Sequence, residues 1–137
     1  MSNIDRRLTE LIDAADVELV ETGKLGRHLN AVYHPSGKIF VRWGLDAVTR
    51  RCAIAHELGH EHYGHDCSTP GAERLADEWA AMKLVTVDDV ETAAESCEGQ
   101  PSAIAAEIGI TPHLLSTWMR LHEAGRTSQQ WSCLLSE

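Results

Sequence analysis

The sequence is poor in aromatic and in basic residues and has no long hydrophobic run. Aromatic side chains make up 5% of the 137 residues, and 12 Lys and Arg stand against 21 Asp and Glu, which leaves a net charge of −9. A chain this acidic is unsuited to nonspecific binding of nucleic acid or of anionic membranes. Because no apolar run reaches the roughly 18 residues that a membrane helix needs, we expect no membrane span.

The chain also lacks a CxxC pair and the apolar block of a signal peptide. Acidic residues occupy the N-terminal stretch from Asp5 to Glu18, where a signal peptide would be apolar. We therefore expect a cytoplasmic protein. In that compartment cysteines are free thiols more often than disulfides or zinc-knuckle ligands, which is our expectation for Cys52, Cys67, Cys97 and Cys133.

Hydrophobic periodicity predicts an amphipathic helix at the N-terminus, followed by short strands. A first strand is expected near Val17–Glu21. A hairpin follows, because alternating residues in His28–His34 and Lys38–Arg42 flank the turn sequence Pro35-Ser36-Gly37.

Helices are predicted for most of the remaining chain. Capping residues frame one helix over Ala47–Tyr63 and a second from Pro70 to about Leu84. Strands early and helices later predict one small α+β domain over residues 1–137. We expect the sheet and these two helices in residues 1–86, and a helical tail that packs on them in residues 87–137.

The sequence His56-Glu57-Leu58-Gly59-His60 lies inside the first of these helices. Residues four apart face the same side of a helix, so His56 and His60 can present two imidazole nitrogens to one ion. Zinc bound in this way lowers the pKa of its water to about 7, and Glu57 is placed to take the proton as a general base. The pattern therefore indicates a catalytic zinc site.

The next helix offers a third ligand. Catalytic zinc takes three protein ligands and keeps one position open, and Glu73 can complete such a set. Asp77, one turn further on, can accept the other ring N–H of a ligand histidine and so fix its orientation. The alternative is that Glu73 and Asp77 form a solvated face of an acidic protein.

The other histidines are weaker candidates. A third histidine ligand of the metzincin type would stand ten residues after His56, where the chain has Asp66. We interpret His65 as a structural residue or as a hydrogen-bond partner of a ligand, and Cys52 as a packed thiol. The histidines expected to be surface or structural residues are His28, His34, His62, His113 and His122.

These motifs resemble the ImmA/IrrE metallopeptidases. The family pattern is AHELGH…GH followed by ExxA(D/N)xFA, and Trp79 stands here where the family usually has Phe. The usual LMP ending is absent, since the chain reads Lys83-Leu84-Val85-Thr86, a departure that leaves the zinc ligands untouched. The matching segments are Cys52–Ala55 leading into HELGH, Gly64-His65, and ERLADEWAA at 73–81.

The resemblance implies a minimal zincin-like fold, with a small antiparallel sheet beside two metal-bearing helices. It matches His56, His60 and Glu73 to the zinc ligands and Glu57 to the catalytic base. Members cleave regulatory proteins, typically helix-turn-helix repressors of prophages and integrative mobile elements. A member of this length is expected to be near-minimal, of the kind that phages or mobile elements encode.

The helical tail raises a competing function. Ala105, Gly109 and Leu115 have the spacing of a helix-turn-helix. The second helix, however, carries an apolar stripe that includes Trp118 and offers few donors for phosphates or bases. We therefore expect a tail that packs on the core or docks a protein substrate, with no direct DNA binding.

Two functions follow as hypotheses. The first is a zinc-dependent endopeptidase that cleaves a repressor-type regulator along one arm of the hairpin, and the acidic charge favours a basic substrate. The second is a non-catalytic regulator that binds a repressor or DNA through the tail. Glu57 separates them, because a binding module has no need of a catalytic base.

Overall fold

A computed structural model describes residues 2–65 and 68–128. Three short strands follow the first helix, and most of the rest of the described chain is helical. In chain order the elements are α1 (Asn3–Ala15), β1 (Glu18–Thr22), β2 (Ala31–His34), β3 (Lys38–Arg42), α2 (Ala47–Tyr63), α3 (Pro70–Leu84), α4 (Val87–Ser96), α5 (Pro101–Ile108), α6 (Pro112–Glu123) and a 3₁₀ turn, η1 (Arg126–Ser128). The α+β class is confirmed.

The sheet is mixed, which corrects the expectation of an antiparallel one. Its order is β1-β3-β2. The hairpin pairs β2 with β3 antiparallel as predicted, but β1 runs parallel to β3. The chain leaves β1 and enters β2 at the same end of β3, where Trp43 N–H donates to Thr22 and Arg42 N–H to Asn30. Residues 23–30 therefore cross that end, and β3 becomes the central strand.

Local sequence signals set the ends of α2 and α3. The Asp46 side chain accepts from Thr49 N–H at the start of α2, and Gly64 ends that helix in the left-handed region at φ 68°. Thr69 caps α3 through Ala72 N–H, and Pro70 fills its first turn. These bounds agree with the predicted ones.

The core lies between the sheet and α2, with α1, α3 and the tail around it. Ile39 and Val41 of β3 are fully buried, as are Ile54 and Leu58 of α2. In the tail, Trp118 is 2% exposed, which confirms that the apolar stripe of α6 is buried. Its companions on that stripe are Leu114, Leu115 and Leu121.

Two of the four cysteines lie within the described residues. Cys52 is a buried free thiol and Cys97 a partly buried one, as expected. Cys67, Cys133 and the last residues of the tail, 129–137, lie outside the described residues, as does Asp66. Across 2–65 and 68–128, no helix has the length and apolarity that crossing a membrane requires.

Candidate metal centre

Three side chains from α2 and α3 bring their donor atoms together. His56 Nε2 and His60 Nε2 are 3.2 Å apart. Glu73 Oε1 lies 2.9 Å from His56 Nε2, and Glu73 Oε2 lies 2.8 Å from His60 Nε2. Donors that surround zinc as a tetrahedron at their usual bond lengths are about 3.3 Å apart. The spacing of these atoms therefore fits one small metal ion.

Glu57 belongs to the same cluster but is held differently. His56, Glu57 and His60 each offer a ligand atom within 4.8 Å of the others, so this group can hold a metal ion. Glu57 Oε2 is nevertheless 4.0 Å from His56 Nε2, and Glu57 Oε1 accepts from the backbone N–H of Tyr33 at 2.8 Å. Because Glu73 is closer to both imidazoles, it is the better third ligand, which leaves Glu57 beside the site.

The imidazole nitrogens that point away from the cluster also have partners. His56 Nδ1 lies 2.7 Å from Asp77 Oδ1, and His60 Nδ1 lies 2.9 Å from His65 Nδ1. Metal-bound histidines are usually oriented by a hydrogen bond at the ring nitrogen that does not bind the metal, and these two contacts are at that nitrogen. Asp77 and His65 thus lie behind the two candidate ligands, each within hydrogen-bond distance of one ring nitrogen.

Burial and neighbouring charges shift the pKa values of the cluster. Burial raises the pKa of Glu57 to about 7, against the opposing effect of His56. Burial also disfavours a charged His56, but the contacts with Asp77, Glu57 and Glu73 together outweigh it and raise the pKa of His56 to about 9. Burial opposes ionisation of Glu73 as well, yet its contacts with His56, Ser68 and His60 together lower its pKa. A carboxylate whose pKa is near 7 is suited to accept and return protons.

A cavity of about 290 Å³ opens directly onto Glu57, His60 and Glu73 of the cluster. Strand β2 forms one wall of it, and β2 is an edge strand because β3 pairs with it on one side only within the described sheet. Of the two hairpin arms, β2 is the one that lies at an edge of this sheet. The polar groups of the cavity include Glu57, His60, His65, Ser68 and Glu73.

Three contacts of the site were missed from the sequence. Ser68 Oγ donates to Glu73 Oε2 at 3.0 Å. The sequence signal for this contact is the position of Ser68 next to Thr69, the N-cap of the helix that carries Glu73. The backbone of Tyr33 holds Glu57, and His113 Nε2 lies 3.0 Å from Asp77 Oδ2. Neither of the last two has a local signal, because both join segments distant in sequence.

The remaining candidates lie away from the cluster. His62 is exposed and stacks on Trp79 with ring centroids 5.4 Å apart. Cys52 Sγ accepts from Thr111 N–H at 3.4 Å, which fits the packed thiol that we expected. His122 is bound to Thr127 through its Nδ1.

Comparison with models of known protein families, with curated proteins and with solved structures gives no match to this chain. Any functional assignment therefore depends on the residues and geometry of the cluster.

Proposed function

We propose that this chain is a zinc-dependent endopeptidase of the ImmA/IrrE type. The observation that carries the proposal is the convergence of His56 Nε2, His60 Nε2 and the Glu73 carboxylate at separations of 2.8–3.2 Å. Two histidines and one glutamate are a donor set of catalytic zinc, which keeps one position open for water or substrate.

Zinc bound there would polarise the carbonyl of the scissile bond and make water more acidic. Glu57 is the residue that would then move protons. It is partly buried beside the ligands, its Oε1 accepts from the backbone N–H of Tyr33, and it faces the cavity. It can therefore take a proton from the attacking water and return it to the leaving amine.

Strand β2 is the proposed docking site for substrate. Ala31, Val32 and Tyr33 line the cavity next to Glu57. An extended peptide can lie along such an edge and gain its register from main-chain hydrogen bonds. The resemblance suggests a helix-turn-helix repressor of a prophage or mobile element, and the net charge of −9 favours a basic one.

Zinc binding is the first test. The wild type should bind one zinc per chain, and Glu73→Ala and His60→Ala should lose most of it. Glu91→Ala is the matched control, since Glu91 is an exposed carboxylate on α4. Full zinc content in a His60→Ala, Glu73→Ala double variant would place the ligands elsewhere.

The second test separates a peptidase from a binding protein. Glu57→Gln keeps the three ligands and should retain zinc, while cleavage of a repressor encoded beside this chain should fall by about 10²–10⁴-fold. Glu61→Gln, the same change further along α2, should cleave normally. Undiminished cleavage by Glu57→Gln would contradict the role of the base. A wild type that binds the repressor without cutting it would support the non-catalytic regulator.

A further inference from the structure

Asp77 contacts two histidines from different parts of the fold. Its Oδ1 is 2.7 Å from His56 Nδ1 in α2, and its Oδ2 is 3.0 Å from His113 Nε2 in α6. Each carboxylate oxygen thus has one imidazole partner. The chain His113–Asp77–His56 connects the tail with the candidate metal centre.

The start of α6 is fixed in this position by contacts with α2. Thr111, the N-cap of α6, donates its N–H to Cys52 Sγ at 3.4 Å. Arg51 donates to the carbonyl of Gly109 at 2.8 Å. Both contacts lie about one turn before His56, so the turn between α5 and α6 is anchored beside the ligand helix.

A single hydrogen bond would leave the Asp77 carboxylate free to turn about its own axis. The second bond, from His113, restrains the other oxygen and so fixes the plane of the group. A fixed carboxylate holds His56 with its Nδ1–H toward Asp77, so Nε2 is the nitrogen that gives up its proton and presents its lone pair when a metal binds.

We propose that His113 is a positioning residue for the metal centre, which acts on His56 through Asp77. The tail then supports the metal centre in addition to packing on the core. The inference rests on the metal-binding part of the proposed function and does not depend on proteolysis.

The test measures zinc affinity of the full chain by competition with a chromophoric chelator. Asp77→Asn should weaken zinc binding by about 10–100-fold, and His113→Ala by about tenfold, at the low end of the effect of orienting partners. His113→Gln should stay within about threefold of the wild type, because its amide N–H can still reach Asp77. His28→Ala is the matched control, since His28 is exposed in the loop between β1 and β2.

A double variant distinguishes an effect through Asp77 from a general loss of structure. In the Asp77→Asn background, His113→Ala should weaken zinc binding no further. The His113 side chain is 71% exposed, so the metal-free variant should melt at the temperature of the metal-free wild type.

Three results would overturn the inference. Wild-type affinity in His113→Ala would remove the role of His113 and leave the metal centre intact. An equal loss in the wild-type and Asp77→Asn backgrounds would show that His113 does not act through Asp77. A wild type that binds no zinc would overturn the metal centre itself, and the inference with it.

Discussion

Gly59 of α2 lies against the backbone of Ala76 in α3. A Cβ added at Gly59 would come within 2.8 Å of both the Cα and the carbonyl oxygen of Ala76. The two helices therefore approach each other at a point where only glycine fits. Because Ala76 is one turn from Glu73, this approach helps to bring the Glu73 carboxylate to His56 and His60.

Gly59→Ala should separate α2 from α3. We expect a loss of about 1–3 kcal/mol in the free energy of unfolding, the usual cost of overpacking, together with weaker zinc binding because Glu73 moves away. Gly71→Ala is the matched control, since a Cβ at Gly71 meets nothing within 4 Å. Denaturant unfolding and zinc competition measure both effects, and wild-type values in Gly59→Ala would show that the helices can accommodate the methyl group.

The parts of the fold and site that the sequence predicted depend on neighbouring residues. The spacing of His56 and His60 places them on one helix face whatever surrounds the helix. The caps at Asp46 and Thr69 also act within one turn, and the structure contains both hydrogen bonds. Zinc chemistry predicts Glu73, because a catalytic site with two histidines needs a third protein ligand.

The parts that the sequence did not predict depend on distant contacts. Strand β1 pairs in parallel with β3 because residues 23–30 cross the end of β3, and nothing in the five residues of β1 encodes that choice. The contact between Asp77 and His113 joins residues 36 apart in the chain. Both the strand pairing and the contact between side chains depend on how distant segments pack together, which local patterns do not specify.

Trp118 should contribute strongly to stability. Its ring is 2% exposed and stacks on His122 with centroids 4.9 Å apart. Trp118→Ala should lower the free energy of unfolding by about 3–5 kcal/mol, the usual cost of a large cavity. Trp43→Ala is the control, because Trp43 is 66% exposed and its removal should change stability by about 0.5 kcal/mol or less. If urea unfolding gave equal losses of free energy for Trp118→Ala and Trp43→Ala, burial would not explain the contribution of Trp118.

Asp89 should make stability depend on pH. It accepts from Arg7 Nη1 at 2.5 Å and from Thr86 N–H at 3.0 Å, so it ties α1 to the start of α4. Burial opposes ionisation of Asp89, but the hydrogen bonds from Arg7 and Thr86 and the charge of Arg7 together outweigh it and lower its pKa. A lowered pKa stabilises the fold above the ordinary value of about 4, and this stabilisation is lost as the pH falls through the folded value.

The measurement is thermal unfolding of Asp89→Asn and of the wild type from pH 7 to pH 2. At pH 7 the variant should be less stable by about 1.5–3 kcal/mol, the usual contribution of a hydrogen bond to a charged group. The difference should shrink below about pH 4 as the wild-type carboxylate takes up its proton. Asp88→Asn is the control, because Asp88 is an exposed aspartate in the same turn. A difference that stays constant down to pH 2 would rule out the charge of Asp89 as its source.

Duplex DNA should bind the chain negligibly at physiological salt, although α5 and α6 follow each other as in a helix-turn-helix. Arg120 and Arg126 both pair with Glu78, whose side chain is 9% exposed, so a phosphate would have to compete with a buried carboxylate for them. His113, at the end of α6 that reads bases in such motifs, contacts Asp77 instead.

Fluorescence anisotropy with labelled operator and mixed-sequence duplexes measures DNA binding by the chain, with the repressor itself as the positive control. A basic repressor should bind this acidic chain and dissociate as salt rises, whereas a submicromolar DNA complex that weakens steeply with salt would show that the tail binds nucleic acid.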